Sequence, residues 1–128
     1  MIELVPVTSV YAGLLGILIV GLALLVVRQR LAHGVGLGDG EISDLSQAIR
    51  VHGNAVEYIP MALILMALLE FNGAPEIILH ILGSGLIAAR ILHAWGLSTR
   101  KGPSIGRFYG TLFTWIVILS ASVLNLAF

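Results

Sequence analysis

Residues 50–60 read Arg-Val-His-Gly-Asn-Ala-Val-Glu-Tyr-Ile-Pro and lie within an otherwise apolar part of the chain. Arg50, Asn54 and Glu57 are spaced four and three residues apart, so on an α-helix they share one face. Gln47 extends that face towards its start. Ionisable groups within a membrane helix are costly, and they usually face a partner or a site rather than lipid. The stretch therefore predicts a polar stripe about 10 Å long that suits a small, extended, zwitterionic ligand.

The composition is that of a membrane protein. Of the 128 residues, 58% are hydrophobic and 11% are charged, with a mean hydropathy of +1.00, whereas a soluble domain is about 25% charged. The net charge is zero, so nothing indicates a nucleic-acid partner. The chain has no cysteine, which excludes disulfides and a protein thiol nucleophile. The four histidines lack metal-ligand spacing, so no metal is expected.

Four apolar segments are long enough to cross a bilayer, which takes about 20 residues each. Pro6 suits a first helical turn, and the Gly-Pro-Ser breaker at 102–104 precedes the last segment. We see no linker and no repeat. The predicted fold is therefore an all-α integral membrane protein, a single domain over residues 1–128, with helices at about 5–27, 45–69, 75–97 and 105–128.

The basic residues predict the orientation of the chain. The segments 28–44 and 98–107 carry arginines and a lysine, whereas the N-terminus, the turn at 70–75 and the C-terminus carry none. Arg50 and Arg90 also lie towards the helix ends nearest these two segments. Because cytoplasmic loops are enriched in basic residues, we expect both loops in the cytoplasm and both termini outside.

The polar stripe has a second interpretation, a seam that holds helices together. Glu57 would then pair with Arg90 of the third helix, and no ligand would be needed. The density of polar groups on one face favours a site. Gly106 and Gly110 form a small-xxx-small step in the fourth helix, which fits either close helix packing or oligomerisation.

The pattern Arg-x-x-x-Asn-x-x-Glu-Tyr-x-Pro in the second of four helices resembles the MAPEG family, the membrane-associated proteins of eicosanoid and glutathione metabolism. The matching residues are Arg50, Asn54, Glu57, Tyr58 and Pro60. The likeness extends over most of the chain. The stretch Gly-Leu-Gly-Asp-Gly at 36–40 is similar to that of small bacterial members, so an inner-membrane location is expected. The resemblance implies a homotrimer, with glutathione bound between neighbouring subunits at the cytoplasmic side.

The resemblance also implies roles for individual residues. Arg50, Asn54, Glu57 and Tyr58 are expected to hold the tripeptide, with His52 reaching it from a neighbouring subunit. By charge, Arg50 suits a ligand carboxylate and Glu57 suits the ammonium group.

Two arginines are candidates for activating the glutathione thiol. Arg30 matches an arginine with that role in leukotriene-forming members, and Arg107 resembles a helix-four arginine that lies at the ligand. Arg90 and His93 complete the expected binding set. One departure is that His93 and Leu97 stand where transferase members often carry tyrosines, which puts the binding geometry and the chemistry in question.

The expected activity is that of a glutathione transferase acting on lipophilic electrophiles, with peroxidase activity on lipid hydroperoxides as a variant. A free thiol has a pKa of about 8.5, and a nearby guanidinium lowers it to give a thiolate nucleophile. The substrate would arrive through the membrane lipid. Two alternatives remain: a non-catalytic lipid- or glutathione-binding member of the family, and a small four-helix transporter that uses Glu57 as a proton or cation site.

Overall fold

The computed structural model of the chain describes residues 4–99 and 104–128, with side chains throughout these ranges except at 97–99. It contains four α-helices, each long and apolar enough to cross a membrane. The predicted all-α, four-helix architecture is therefore confirmed. The middle of the loop predicted at 98–107 and the side chain of Leu97 lie outside the described residues. The helices are α1 (Pro6–His33), α2 (Ser43–Phe71), α3 (Glu76–Thr99) and α4 (Ile105–Ala127).

The first helix is longer than predicted. We expected it to end near residue 27, yet α1 continues to His33. Nothing between these positions breaks a helix, and the first glycine after them, Gly34, provides the stop. Gly34 takes a left-handed conformation with φ 65°, and its N–H donates to the carbonyl of Arg30, which is a common way to end a helix. Arg28 and Arg30 therefore lie on the last turns of α1 rather than in a loop.

The start of α1 is held by a side chain from α2. Pro6 is in the first turn, as predicted, but the residue before it provides no side-chain cap. Instead, the two carboxylate oxygens of Glu70 accept hydrogen bonds of 2.7 Å from the N–H groups of Val7 and Thr8. A carboxylate at a helix N-terminus satisfies free N–H groups and complements the helix dipole. Glu70 therefore joins the end of α2 to the beginning of α1.

Glycines bring α3 and α4 into backbone contact. A Cβ added to Gly96 would lie 2.4 Å from the backbone nitrogen of Arg107, and one added to Gly106 would lie 2.8 Å from the Cα of Gly96. A Cβ on Gly110 would lie 2.6 Å from the Cβ of His93. The small-xxx-small step at 106 and 110 is thus occupied by packing within one subunit. This is the first of the two interpretations that the sequence allowed.

The apolar core lies between the four helices, with α1 packed along α2 and α3 packed along α4. Near the C-terminal end of α4, the side-chain amide of Asn125 donates to the carbonyl of Leu65 on α2 at 3.0 Å. These contacts hold α2 against α1 on one side and against α3 and α4 on the other. They thereby set the position of the polar residues of α2. The largest apolar side chains that are fully buried are Leu15, Leu45, Ile59, Met66, Leu69, Leu79 and Leu86.

Candidate functional site

A buried arginine on α3 is the centre of the polar cluster. Arg90 is only 1% exposed. Its Nη2 donates to Oδ1 of Asn54 on α2 at 2.7 Å, and its Nη1 lies 3.4 Å from Oγ1 of Thr114 on α4. Its Nη2 is also 3.4 Å from Nδ1 of His93. Arg90 therefore connects α2, α3 and α4 at one level of the bundle.

Thr114 is a member of this cluster that the sequence did not single out. Its hydroxyl donates to the carbonyl of Gly110 one turn earlier, at 2.7 Å. Because that hydrogen bond uses its only proton, the oxygen of Thr114 faces Arg90 as an acceptor. A threonine in an apolar helix usually bonds to its own backbone, so only the close approach of α3 at Gly110 reveals this contact.

Arg50 and Glu57 form an ion pair on the outer face of α2. Nη1 of Arg50 lies 3.8 Å from Oε1 of Glu57, and the two side chains are 59% and 53% exposed in the isolated subunit. Glu57 is thus paired with Arg50 rather than with Arg90, whose short bond is to Asn54. The simple interhelical ion pair that would have explained the stripe as a seam is not formed. Two charged groups on an exposed face of a membrane helix require a covering partner, ligand or water.

The charge near His93 is mainly positive. His93 is 2% exposed, and Arg90, Arg107 and Arg50 all lie within electrostatic range of it. Glu57 provides the negative charge near Arg90. The cluster therefore has an excess of positive charge, which favours an anionic group.

An apolar groove on α4 begins next to Arg107. It encloses a cavity of about 420 Å³. Trp115 lines it, and its ring meets the ring of Tyr58 edge-to-face at a centroid distance of 6.4 Å. An aromatic and aliphatic wall beside a cationic cluster suits a ligand with one charged and one lipophilic part. The lining residues are Ser104, Arg107, Phe108, Thr111, Leu112 and Trp115.

Two predicted site residues lie apart from this cluster in the single subunit. Arg30 donates to the carbonyls of Gly38 at 2.7 Å and Val35 at 3.4 Å, so its guanidinium also organises the loop after α1. His52 is half-buried. Among the described residues, neither has a hydrogen bond or ion pair with the Arg90 cluster or with the Arg50–Glu57 pair.

Gln47, at the start of the predicted stripe, lies next to α1. It lines a separate cavity of about 180 Å³ between α1 and α2, together with Gln29 and Asp44. Within residues 4–99 and 104–128, no three His, Asp or Glu side chains are grouped to hold a metal ion.

Comparison with known proteins places this geometry in a family. The model of the MAPEG family matches residues 8–127. The chain belongs to the MAPEG family. It is also 42% identical over 120 residues to the inner membrane protein YecN of Escherichia coli K12, an alignment that covers 94% of this chain and 90% of YecN. YecN of Escherichia coli O6:H1 is similar to the same extent. With four apolar helices of spanning length, the chain is an integral membrane protein.

Proposed function

We propose that this MAPEG protein binds glutathione along the polar face of α2 and transfers it to lipophilic electrophiles. The observation that carries the proposal is the exposed Arg50–Glu57 pair next to an amide held by a buried arginine. Glutathione has two carboxylates and one ammonium group, and this face offers arginines for the first and a glutamate for the second. A ligand of this kind would exchange the long 3.8 Å pair for two shorter charge-assisted contacts.

The chemistry needs a thiolate and an acceptor. A guanidinium beside the thiol favours the thiolate, which attacks an electrophilic carbon while the leaving group departs with the bonding electron pair. Arg30 is the first candidate for this role and Arg107 the second. Arg107 lines the apolar groove, where a lipophilic acceptor would lie within reach of the sulfur.

The assembly and location are part of the same proposal. We infer a homotrimer in which Arg30 and His52 of one subunit reach the glutathione bound by its neighbour, because among the described residues neither has a hydrogen bond or ion pair with Arg50 or Glu57 of its own subunit. The name of YecN supports an inner-membrane location. The basic residues at the ends of α1 and α4 favour an orientation with both basic loops in the cytoplasm and both termini outside.

The test is a pair of measurements on detergent-purified protein. Ultraviolet difference spectroscopy of bound glutathione reports the thiolate, and conjugation to chlorodinitrobenzene reports turnover. We expect both signals in the wild type, with turnover lost in Arg30→Ala or Arg107→Ala. Binding without a thiolate signal or turnover would instead select the non-catalytic alternative. Absence of binding, with proton-coupled transport lost in Glu57→Gln, would select a transporter.

A further inference from the structure

We propose that Arg90 is a positioning residue that commits Asn54 to donating a hydrogen bond, so that the site selects a ligand with an acceptor oxygen at that point. This inference rests on the proposed glutathione site and specifies how one part of it recognises its ligand. It assigns Arg90 an action through Asn54 rather than a contact of its own with the ligand.

The direction of the hydrogen bond is fixed by chemistry. A guanidinium has five N–H donors and no acceptor, so the atom of Asn54 that lies 2.7 Å from Nη2 of Arg90 is the amide oxygen. That oxygen is thereby used inside the protein. The NH₂ group of Asn54 is left as the part of the side chain that a ligand can meet.

Arg90 cannot rotate away from Asn54 without breaking its other hydrogen bonds. It is 1% exposed, and Thr114 and His93 accept from it on the side of α4 and α3. Among the described residues, no carboxylate lies within ion-pair distance of it. The orientation of Arg90 is therefore set by three neutral acceptors on three helices. Its hydrogen bond to Asn54 in turn fixes which way the amide of Asn54 faces.

His93 is a further acceptor for Arg90, because the guanidinium can only donate and its Nη2 lies 3.4 Å from Nδ1 of the ring. The ring is 2% exposed, so Asn54 is the group that is left to donate outwards from Arg90. Arg50, one turn before Asn54, is a donor as well, whereas Glu57 can only accept when ionised.

This pattern defines the ligand group that fits. The donors of Arg50 and Asn54, one turn apart on α2, suit a carboxylate, and the acceptor at Glu57 suits an ammonium group. A ligand with an amide NH₂ or an amine in place of the carboxylate would meet donor against donor at Asn54. An unpaired polar group in a buried site costs more than a hydrogen bond returns, so the arrangement rejects such ligands.

The variant that separates positioning from simple packing is Asn54→Asp. A carboxylate at position 54 still accepts from Arg90, with the added attraction of opposite charges. It has lost the NH₂ group, however, and it repels a ligand carboxylate. We expect the melting temperature to be kept or raised, and the affinity for glutathione measured by calorimetry to fall by about tenfold or more, the loss expected for one charge-assisted hydrogen bond.

Asn125→Asp is the matched control because Asn125 uses its amide in the opposite sense. Its Nδ2 donates to the carbonyls of Leu65 and Ala121 at 3.0 and 2.8 Å. A carboxylate there faces two carbonyl oxygens, so this variant should melt at a lower temperature. It should bind glutathione with wild-type affinity, since Asn125 lies at the other end of α4 from Arg107.

Each outcome has a distinct meaning. Unchanged glutathione affinity in Asn54→Asp would overturn the proposal, and so would a melting temperature as low as that of Asn125→Asp. If the wild type itself binds no glutathione, the proposed function fails. The melting temperatures of the two variants would then still decide whether Arg90 bonds to the oxygen of Asn54.

Discussion

Replacing Gly96 with alanine tests the packing that places Arg107 beside the polar cluster. The added Cβ would stand 2.4 Å from the backbone nitrogen of Arg107 and 2.6 Å from the carbonyl carbon of Gly106. Heavy atoms in contact are about 3.5–4.0 Å apart, so α3 and α4 must separate by roughly 1 Å. Both obstructing atoms belong to the backbone, and no side chain can rotate away to relieve the overlap.

The expected cost is that of overpacking, about 1–3 kcal/mol, in spite of the gain of about 0.5–1 kcal/mol that alanine usually brings to a helix interior. We expect Gly96→Ala to lower the melting temperature of the detergent-purified protein, as measured by the change in tryptophan fluorescence on heating. Because the separation displaces Arg107 from His93, glutathione affinity should fall in the same variant.

The matched control lies on the same helix seam. A Cβ at Gly85 would meet Cγ2 of Val117 at 3.5 Å, which is an ordinary contact. Gly85→Ala should therefore melt at or above the wild-type temperature and keep its glutathione affinity. Equal melting temperatures for Gly96→Ala and Gly85→Ala would refute the backbone contact between α3 and α4.

Two further predictions concern the start and end of α1. Glu70→Gln removes the charge that holds two N–H groups of α1. We expect it to lower the free energy of unfolding by about 1–3 kcal/mol, as measured by thermal melting. Glu76→Gln, on the exposed first turn of α3, is the control and should change the melting temperature little. Arg30→Ala should reduce turnover with chlorodinitrobenzene while calorimetry shows glutathione binding largely kept. Unchanged turnover would move thiol activation to Arg107 or remove that step from the proposal.

Much of the fold could be predicted from the sequence, because the lengths of the apolar segments and the helix-breaking residues between them decide it. Four long apolar segments separated by breakers leave few arrangements in a bilayer. The boundary of α1 was wrong by six residues, from 27 to His33, because polarity alone does not end a helix. Gly34 ends the helix through its left-handed backbone conformation. The prediction stopped at residue 27 because it took the change in polarity at Arg28 as the end of the helix.

The candidate site was predictable along α2 and much less so across helices. Spacing on one helix was sufficient to put Arg50 and Glu57 on one face. The partner of Arg90 was not predictable, because the choice between Asn54 and Glu57 depends on depth and on how α2 and α3 are rotated. Thr114 carries no signal of its own in the sequence, since its contact exists only through the approach of α3 and α4 at Gly110.

The central claim, that the polar face of α2 binds glutathione, is tested most directly by calorimetric titration of glutathione into the detergent-purified wild type and Arg50→Ala. Arg28→Ala is the control, an exposed arginine in the last turns of α1. We predict binding in the wild type and in Arg28→Ala, with an affinity about tenfold or more lower in Arg50→Ala, as expected for the loss of a charge-assisted contact. Equal affinities in all three proteins, or binding in none, would contradict the account.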